Sequence, residues 1–409
     1  MMEREYQPIS FKDVLIEMKD VSELMVDLSY SAILFDNKEI ALEVINLEES
    51  MNKLVYQARI QSTLSARRFE EAEAMSGMLQ VAEAAERIAN SASDMAMLIL
   101  KDIKFPAKLK RVFPEAEEVV TRVIVSQGSE LAGNTLGELK VQSTTGMQVI
   151  AIRRGRGWIY DPGKTTRIEA EDILISRGPE AGTDILSMMA GTVEYPRYEP
   201  SPAGAVDDLD RAVQLIIEMK NLSELSVGLA YTSLLFNNKE IANEVVALDK
   251  MLDNMRYNMD LWILEAARKI DDVRYLRGLL YMSSFAQAIS DSAHSIVDVL
   301  LRDIEIPPVF KKIVRESDEI ITRIPISESS QLIDRTLKEA SLGTVTGMVV
   351  LAIKRGDRWV YRPGKDARLQ SGDILIAKGR RDGECRLYEL AGYTVEEPGG
   401  YPGEILWKI

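Results

Sequence analysis

TGMQVIAIRRGRGWIYDPGK (Thr145–Lys164) is echoed by TGMVVLAIKRGDRWVYRPGK (Thr346–Lys365), with the glycines, the tryptophan and the Pro-Gly pair in register. Working outward, Lys38 matches Lys239, Asp102 matches Asp303, Trp158 matches Trp359 and Gly178 matches Gly379, every pair 201 positions apart. A constant offset over so long a span marks a duplication, because independent loop insertions would have broken it. The copies meet at YPRYEPSPAGA (Tyr195–Ala205), whose prolines and glycine stop both helix and sheet.

Each copy changes period partway along. In the first part Val44, Leu47, Met51, Leu54 and Ala58, then Val81, Ala85, Ile88, Ala92, Met95 and Ile99, recur at three- and four-residue steps. The spacing predicts three helices per copy of roughly 25–35 residues, about 40–50 Å long, packed as an antiparallel bundle. Asp36 with Glu39, and Asn237 with Glu240, resemble helix starts, and Pro106 and Pro307 are placed to close the last helix of each copy. From Glu118 the period becomes two. VVTRVIV (Val119–Val125), MQVIAIR (Met147–Arg153), WIY (Trp158–Tyr160) and DILIS (Asp172–Ser176) read as strands, with a short helix over Leu131–Leu139 and another after Gly178. The expected fold is α+β: bundle 1–110, small module 115–195, linker 196–205, bundle 206–311, small module 316–397 and tail 398–409.

Composition narrows the function classes. A chain of 409 residues with 46% hydrophobic content can bury several cores, and its net charge of −14 opposes a general nucleic-acid binder, which needs a basic surface. The single cysteine, Cys385, rules out a disulfide framework and suits a reducing compartment. MMEREYQPIS has no apolar run behind its charges, and MAMLIL (Met95–Leu100) is far short of a bilayer span, so the expected location is the cytoplasm. There is no Ser-His-Asp set, P-loop or zinc spacing, and Cys385 has no histidine partner in sequence, so the chain reads as non-enzymatic.

With GSELAGNTLGEL (Gly128–Leu139), VIAIRRG, DPGK and EDILISRG in order, and SSQLIDRTLKEA (Ser329–Ala340), VLAIKRG, RPGK and GDILIAKG in the second copy, the small module resembles the TrkA C-terminal domain. That is the C-terminal half of modules that regulate potassium conductance. The resemblance implies a domain that senses a small ligand and pairs with another copy of itself, so that one chain supplies a pseudo-dimer, with a homo-oligomer as a further expectation. No G-x-G-x-x-G fingerprint precedes either copy. The bundle in that place resembles half of a PhoU-type protein, in which acidic pairs spaced four apart on two neighbouring helices bind metal clusters.

Two sets of candidate residues follow. Arg153, Arg154 and Arg156, echoed by Lys354, Arg355 and Arg358, would attract a phosphorylated ligand, against the plainer reading of a solvated hairpin. In TrkA C-terminal domains that bind a cyclic dinucleotide, a basic residue follows the short helix. The resemblance places it near Gln142 and Gly343, neither of them basic, so Lys140, Thr144 and the turn glycines Gly146 and Gly347 complete the expected ligand set. For metal, Asp249 and Asp253 with Asp291 in copy two, and Glu48 with Glu86 in copy one, occupy the acidic positions; Asn52, Asn90 and Gln287 replace the others. Carboxylates at i and i+4 share a helix face and suit iron, manganese or magnesium; a solvated acidic face is the competing reading. His294, the only histidine, lies three residues after Asp291 and would join them. Trp158 and Tyr160, like Trp359 and Tyr361, read as a half-buried strand.

Together these features predict a regulator of potassium or other monovalent-cation transport. It would sense a ligand through paired small modules and act on a channel or transporter at the cytoplasmic membrane face. A metal-binding PhoU-like regulator of phosphate uptake is the alternative.

Overall fold

The computed structural model describes residues 10–65, 67–106, 109, 119–155, 157–192, 208–268, 273–304, 319–356 and 358–393. The expected linker and tail, Arg156 and Pro307 lie outside them. The chain forms two compact units, each assembled from both copies: Met1–Phe105 with Glu218–Ser317, and Pro106–Ile217 with Asp318–Ile409.

The first unit is helical. Copy one contributes α1 (Phe11–Phe35), α2 (Lys38–Ser65) and α3 (Phe69–Leu100). Copy two contributes α6 (Asp208–Phe236, from Glu218 onward), α7 (Lys239–Ala267) and α8 (Arg274–Leu301). The apolar stripes are what the bundle buries: Val44, Met51, Leu54 and Ala58 on α2, and Val81, Ala85, Ile88, Ala92, Met95 and Ile99 on α3. The helix starts fall one residue later than the sequence reading has them. Asn37 Oδ1 accepts the amides of Glu39 and Ile40 at 2.9 and 3.1 Å, and Asn238 does the same for Glu240 and Ile241. Asp36 and Asn237 instead end the preceding helix, with φ of 51° and 49°; short polar side chains tolerate that left-handed region. The third helices likewise stop at left-handed Asp102 and Asp303, before Pro106 is reached. Lys38 reaches Asp102 at 2.7 Å and Lys239 reaches Asp303 at 2.5 Å, so these landmark residues are ion-paired with one another.

The two bundles meet through equivalent surfaces. A Cβ on Gly77 would lie 2.9 Å from Val299 and Ile304, and one on the matching Gly278 would lie 2.6 Å from Phe105. Two glycines therefore let α3 and α8 run closely antiparallel. Lys19, 1% exposed, pairs with Glu23 at 2.8 Å and sits 5.8 Å from the Tyr231 ring centroid. Its counterpart Lys220 pairs with Glu224 at 2.7 Å and sits 5.3 Å from the Tyr30 ring. Burial, with Glu224 and Asp27 nearby, pushes the Tyr30 hydroxyl pKa well above its usual range.

In the second unit each copy builds a four-stranded antiparallel sheet. Copy one orders β1 (Val119–Ile124), β4 (Ile173–Gly178), β2 (Gln148–Arg154) and β3 (Gly157–Tyr160) side by side. Copy two repeats the order with β5 (Glu319–Pro325), β8 (Ile374–Arg380), β6 (Met348–Arg355) and β7 (Arg358–Tyr361). The register shifts at the same place in each, between Val149 and Ala151 and between Val350 and Ala352. Trp158 stacks on Tyr160 and Trp359 on Tyr361, as alternate residues of a half-buried strand should. Helices α5 (Glu180–Met189) and α11 (Arg381–Leu390) add Leu186 and Leu387 to the cores of their own modules.

The helix expected over Leu131–Leu139 is absent. Its amides are donated sideways: Gly133 to Ile168, Leu136 to Thr166 and Gly137 to Lys164, at 2.8–3.0 Å. Amides used in that way cannot close i to i−4 bonds. The helical turns of copy one come later, at α4 (Val141–Thr145); copy two has α9 (Leu337–Ala340) and α10 (Leu342–Thr346).

Candidate functional site

The threonine-glycine of the opening motif caps the short helix. Thr145 Oγ1 donates to the Val141 carbonyl at 2.7 Å and accepts the Met147 amide at 2.9 Å; Thr346 repeats both bonds. Gly146 and Gly347 then turn the chain at φ of 75° and 66°, where a side chain would be strained.

That turn is where the modules touch. Helix α4 packs on α10. A Cβ on Gly146 would lie 2.6 Å from the Gly343 carbonyl, and a Cβ on Gly347 would lie 3.1 Å from Gln142 Cγ. Because Gln142 and Gly343 are repeat equivalents, these are the same contact read in both directions, as in an isologous pair. Gln142, Gly146, Gly343 and Gly347 are thus brought together. Lys140 and Thr144 are exposed beside them, and Thr144 donates to the Leu139 carbonyl at 3.3 Å.

The basic residues of the hairpin belong elsewhere. Arg154 grips the buried Asp172 with two bonds of 2.9 and 2.7 Å and also reaches Glu169 and the Arg167 carbonyl. Arg355 holds Asp373 and the Arg368 carbonyl in the same way, each bond 2.7 Å. These bonds raise both guanidinium pKa values further above their usual range. Arg154 and Arg355 tie the hairpin to the loop beside it, so their donors are spent on structure. Arg153 and Lys354 lie 5.9 and 5.5 Å from the centroids of Trp158 and Trp359.

One interface group escaped the sequence reading. Arg177, in β4, donates to Glu319 of β5 and to Gln148 Oε1 at 3.3 Å, while Lys378 of β8 meets Glu319 at 2.7 Å. Arg177 and Lys378 are repeat equivalents, so Glu319 joins both copies. The available signal was a basic residue inside each apolar strand ILISRG and ILIAKG.

In the bundles, two of the acidic positions of copy two, Asp249 and Asp253, have internal partners. The buried Asp249 accepts from Ser290 at 2.9 Å and meets His294 Nδ1 at 2.7 Å. Gln287 donates to Asp253 and accepts from Arg256. Lost hydration, then the neighbouring Asp249 and Asp253, push the Asp291 carboxyl above its usual range. In copy one Ser93 donates to Glu48, and Arg59 lies 3.8 Å from Glu86 and 3.9 Å from Glu83. Among the described residues no three His, Cys, Asp or Glu side chains are grouped to hold a metal ion. The oxygens of Asp249 face Ser290 and His294, and Gln287 links Asp253 to the Arg256 guanidinium.

Comparison with known proteins matches these parts one by one. The PhoU domain model matches residues 15–99 and 216–300, and the TrkA-C domain model matches 120–184 and 321–392. The Ktr system potassium uptake protein C of Bacillus subtilis (strain 168) is 36% identical over 94 residues, 23% of this chain and 42% of that protein. The matched stretch is therefore less than half the length of that relative. PhoU from Pseudomonas aeruginosa superposes with a TM-score of 0.38 at 11% identity, covering 72% of this chain and 96% of that one. The GsuK RCK domain gives a TM-score of 0.18 at 13% identity, covering 67% of this chain and 63% of that one. By its matched domains, the chain belongs to the tandem PhoU–TrkA-C proteins, a PhoU domain followed by a TrkA-C domain, present twice.

Proposed function

We propose that the chain is a non-enzymatic regulatory component of potassium transport. It binds a small ligand where its two TrkA-C modules meet and acts on a channel or transporter at the cytoplasmic membrane face. The reciprocal contact of Gly146 with Gly343 and Gln142 with Gly347 supports this most directly, since it supplies within one chain a closed pair of modules. A ligand that prefers one arrangement of that pair shifts its population, and linkage carries the shift to partner affinity. The similarity to a potassium uptake protein supports the cargo. No described helix is long and apolar enough to cross a membrane, and the reading assigns ion passage to the partner.

Affinity capture from detergent-solubilised membranes tests it. A channel or transporter for monovalent cations is the expected prey, held through the bundle helices. Recovery of soluble proteins alone, with no transport protein above background, would overturn the reading. Its ligand arm is calorimetry with cyclic dinucleotides and nucleotides, where Lys140→Glu should abolish whatever binding the wild type shows.

A further inference from the structure

The acidic faces of both bundles already hold a positive charge, and the chain itself provides it. The decisive position is the one shared by Glu86 on α3 and Gln287 on α8. In copy two the Arg256 guanidinium, from the middle helix α7, donates to Gln287 Oε1, and Gln287 passes a hydrogen bond on to Asp253. In copy one Arg59, from the middle helix α2, lies 3.8 Å from Glu86 and 3.9 Å from Glu83. The two arginines are not repeat equivalents: position 59 corresponds to Asp260, and position 256 to Val55. The same site on the third helix is thus served from two different turns of the second, which duplication alone does not explain.

A guanidinium is permanently charged, offers only donors and matches planar oxygen acceptors. A divalent cation needs several free oxygen ligands at short range. In copy one Arg59 lies against Glu86 itself, and in copy two Arg256 reaches the acidic face through Gln287, whose amide is donated on to Asp253, so one position of each face is already taken by an internal partner. His294 reinforces this in copy two, because its Nδ1 meets one Asp249 oxygen while Ser290 takes the other. The weaker case is copy one: Arg59 is 56% exposed, so water screens its pairs, and their contribution to stability is small.

We propose that Arg256, and Arg59 in its own bundle, are built-in counter-cations that replace a metal ion on the acidic face, leaving the helical unit independent of divalent metal. The proposal concerns the bundles alone and needs no part of the transport reading.

The test uses the full chain, stripped with chelator and titrated with Mn²⁺, Fe²⁺ and Mg²⁺ by calorimetry and thermal unfolding. The wild type should show no saturable binding and an unchanged Tm. Arg256→Met combined with Gln287→Asp removes the arginine and restores a carboxylate beside Asp253, Asp249 and Asp291. That variant should gain a saturable Mn²⁺ site and a Tm that rises with metal. If circular dichroism shows the pair unfolded, Arg256→Met alone serves for the same comparison. Saturable Mn²⁺ binding by the wild type, lost in Asp249→Asn with Asp253→Asn, would overturn the proposal. So would a folded arginine variant that binds no metal, because the arginine would then not be what keeps metal out.

Discussion

Arg153 and Arg154 adjoin in sequence and look interchangeable as ligand-binding cations, yet neighbours on a strand point to opposite faces. Arg154 turns toward Asp172, 1% exposed, and makes a two-pronged bond with it; Arg153 lies against an indole. Arg154→Met would strand a buried carboxylate, and a loss of about 3 kcal/mol is expected. Arg153→Ala should cost at most about 1 kcal/mol, the range of an exposed cation–π contact. Urea unfolding of the two variants separates these roles, and equal losses would contradict the assignment. The same pair of outcomes should appear at Arg355 and Lys354. Nothing in the run AIRRG marks which arginine meets an acid, because Asp172 lies 18 residues along and arrives only when β4 pairs with β2.

At the scale of elements, glycines decide how closely α5 and α11 can lie. A Cβ on Gly182 would sit 2.1 Å from the Thr145 carbonyl, and one on Gly383 would sit 2.0 Å from the Thr346 carbonyl. Replacing a helical glycine with alanine ordinarily stabilises a helix by about 1 kcal/mol. Here the sign should reverse. The methyl would meet backbone, which cannot rotate aside, so Gly182→Ala is expected to destabilise by roughly 1–3 kcal/mol. Thermal denaturation checks it; a raised Tm would show that α5 moves away freely. Strands and long helices were legible because each advertises its period over many residues, as in Val81 to Ile99. The segment from Leu131 to Leu139 was not, since its apolar spacing mimics a helix while its amides serve a loop about 30 residues further on.

For the whole molecule, duplication is put to use by pairing like with like. The helical unit takes its helices from both copies, and the module unit takes both sheets. Buried Lys19 and Lys220 lie at that junction within the helical unit, each with a glutamate one turn away and a tyrosine of the other copy. Lys19→Met alone would take the cation from the half-buried Glu23, 2.8 Å away, and from Asp20, 3.6 Å away, and a loss of about 3 kcal/mol is expected. Lys19→Met with Glu23→Leu should be milder, because the cation leaves with its nearer partner and only the longer Asp20 contact is lost. A double-mutant cycle in denaturant measures the difference, and additive losses would mean that the pair does not act as a unit.

The sequence by itself determined the duplication, the three long helices and four strands of each copy, the two domain types and the turn at Thr145-Gly146. The duplication, the elements and the turn are written in local period, spacing or backbone demand, and the two domain types rest on the resemblance of their motifs to known families. Only the tertiary structure decided which face of each repeat meets its twin, that Gly146 lies on Gly343, that Glu319 joins Arg177 to Lys378, and that Arg256 meets Gln287. Those contacts join residues far apart along the chain or on separate helices. Their partners are fixed by packing of the whole surface, which no local pattern encodes.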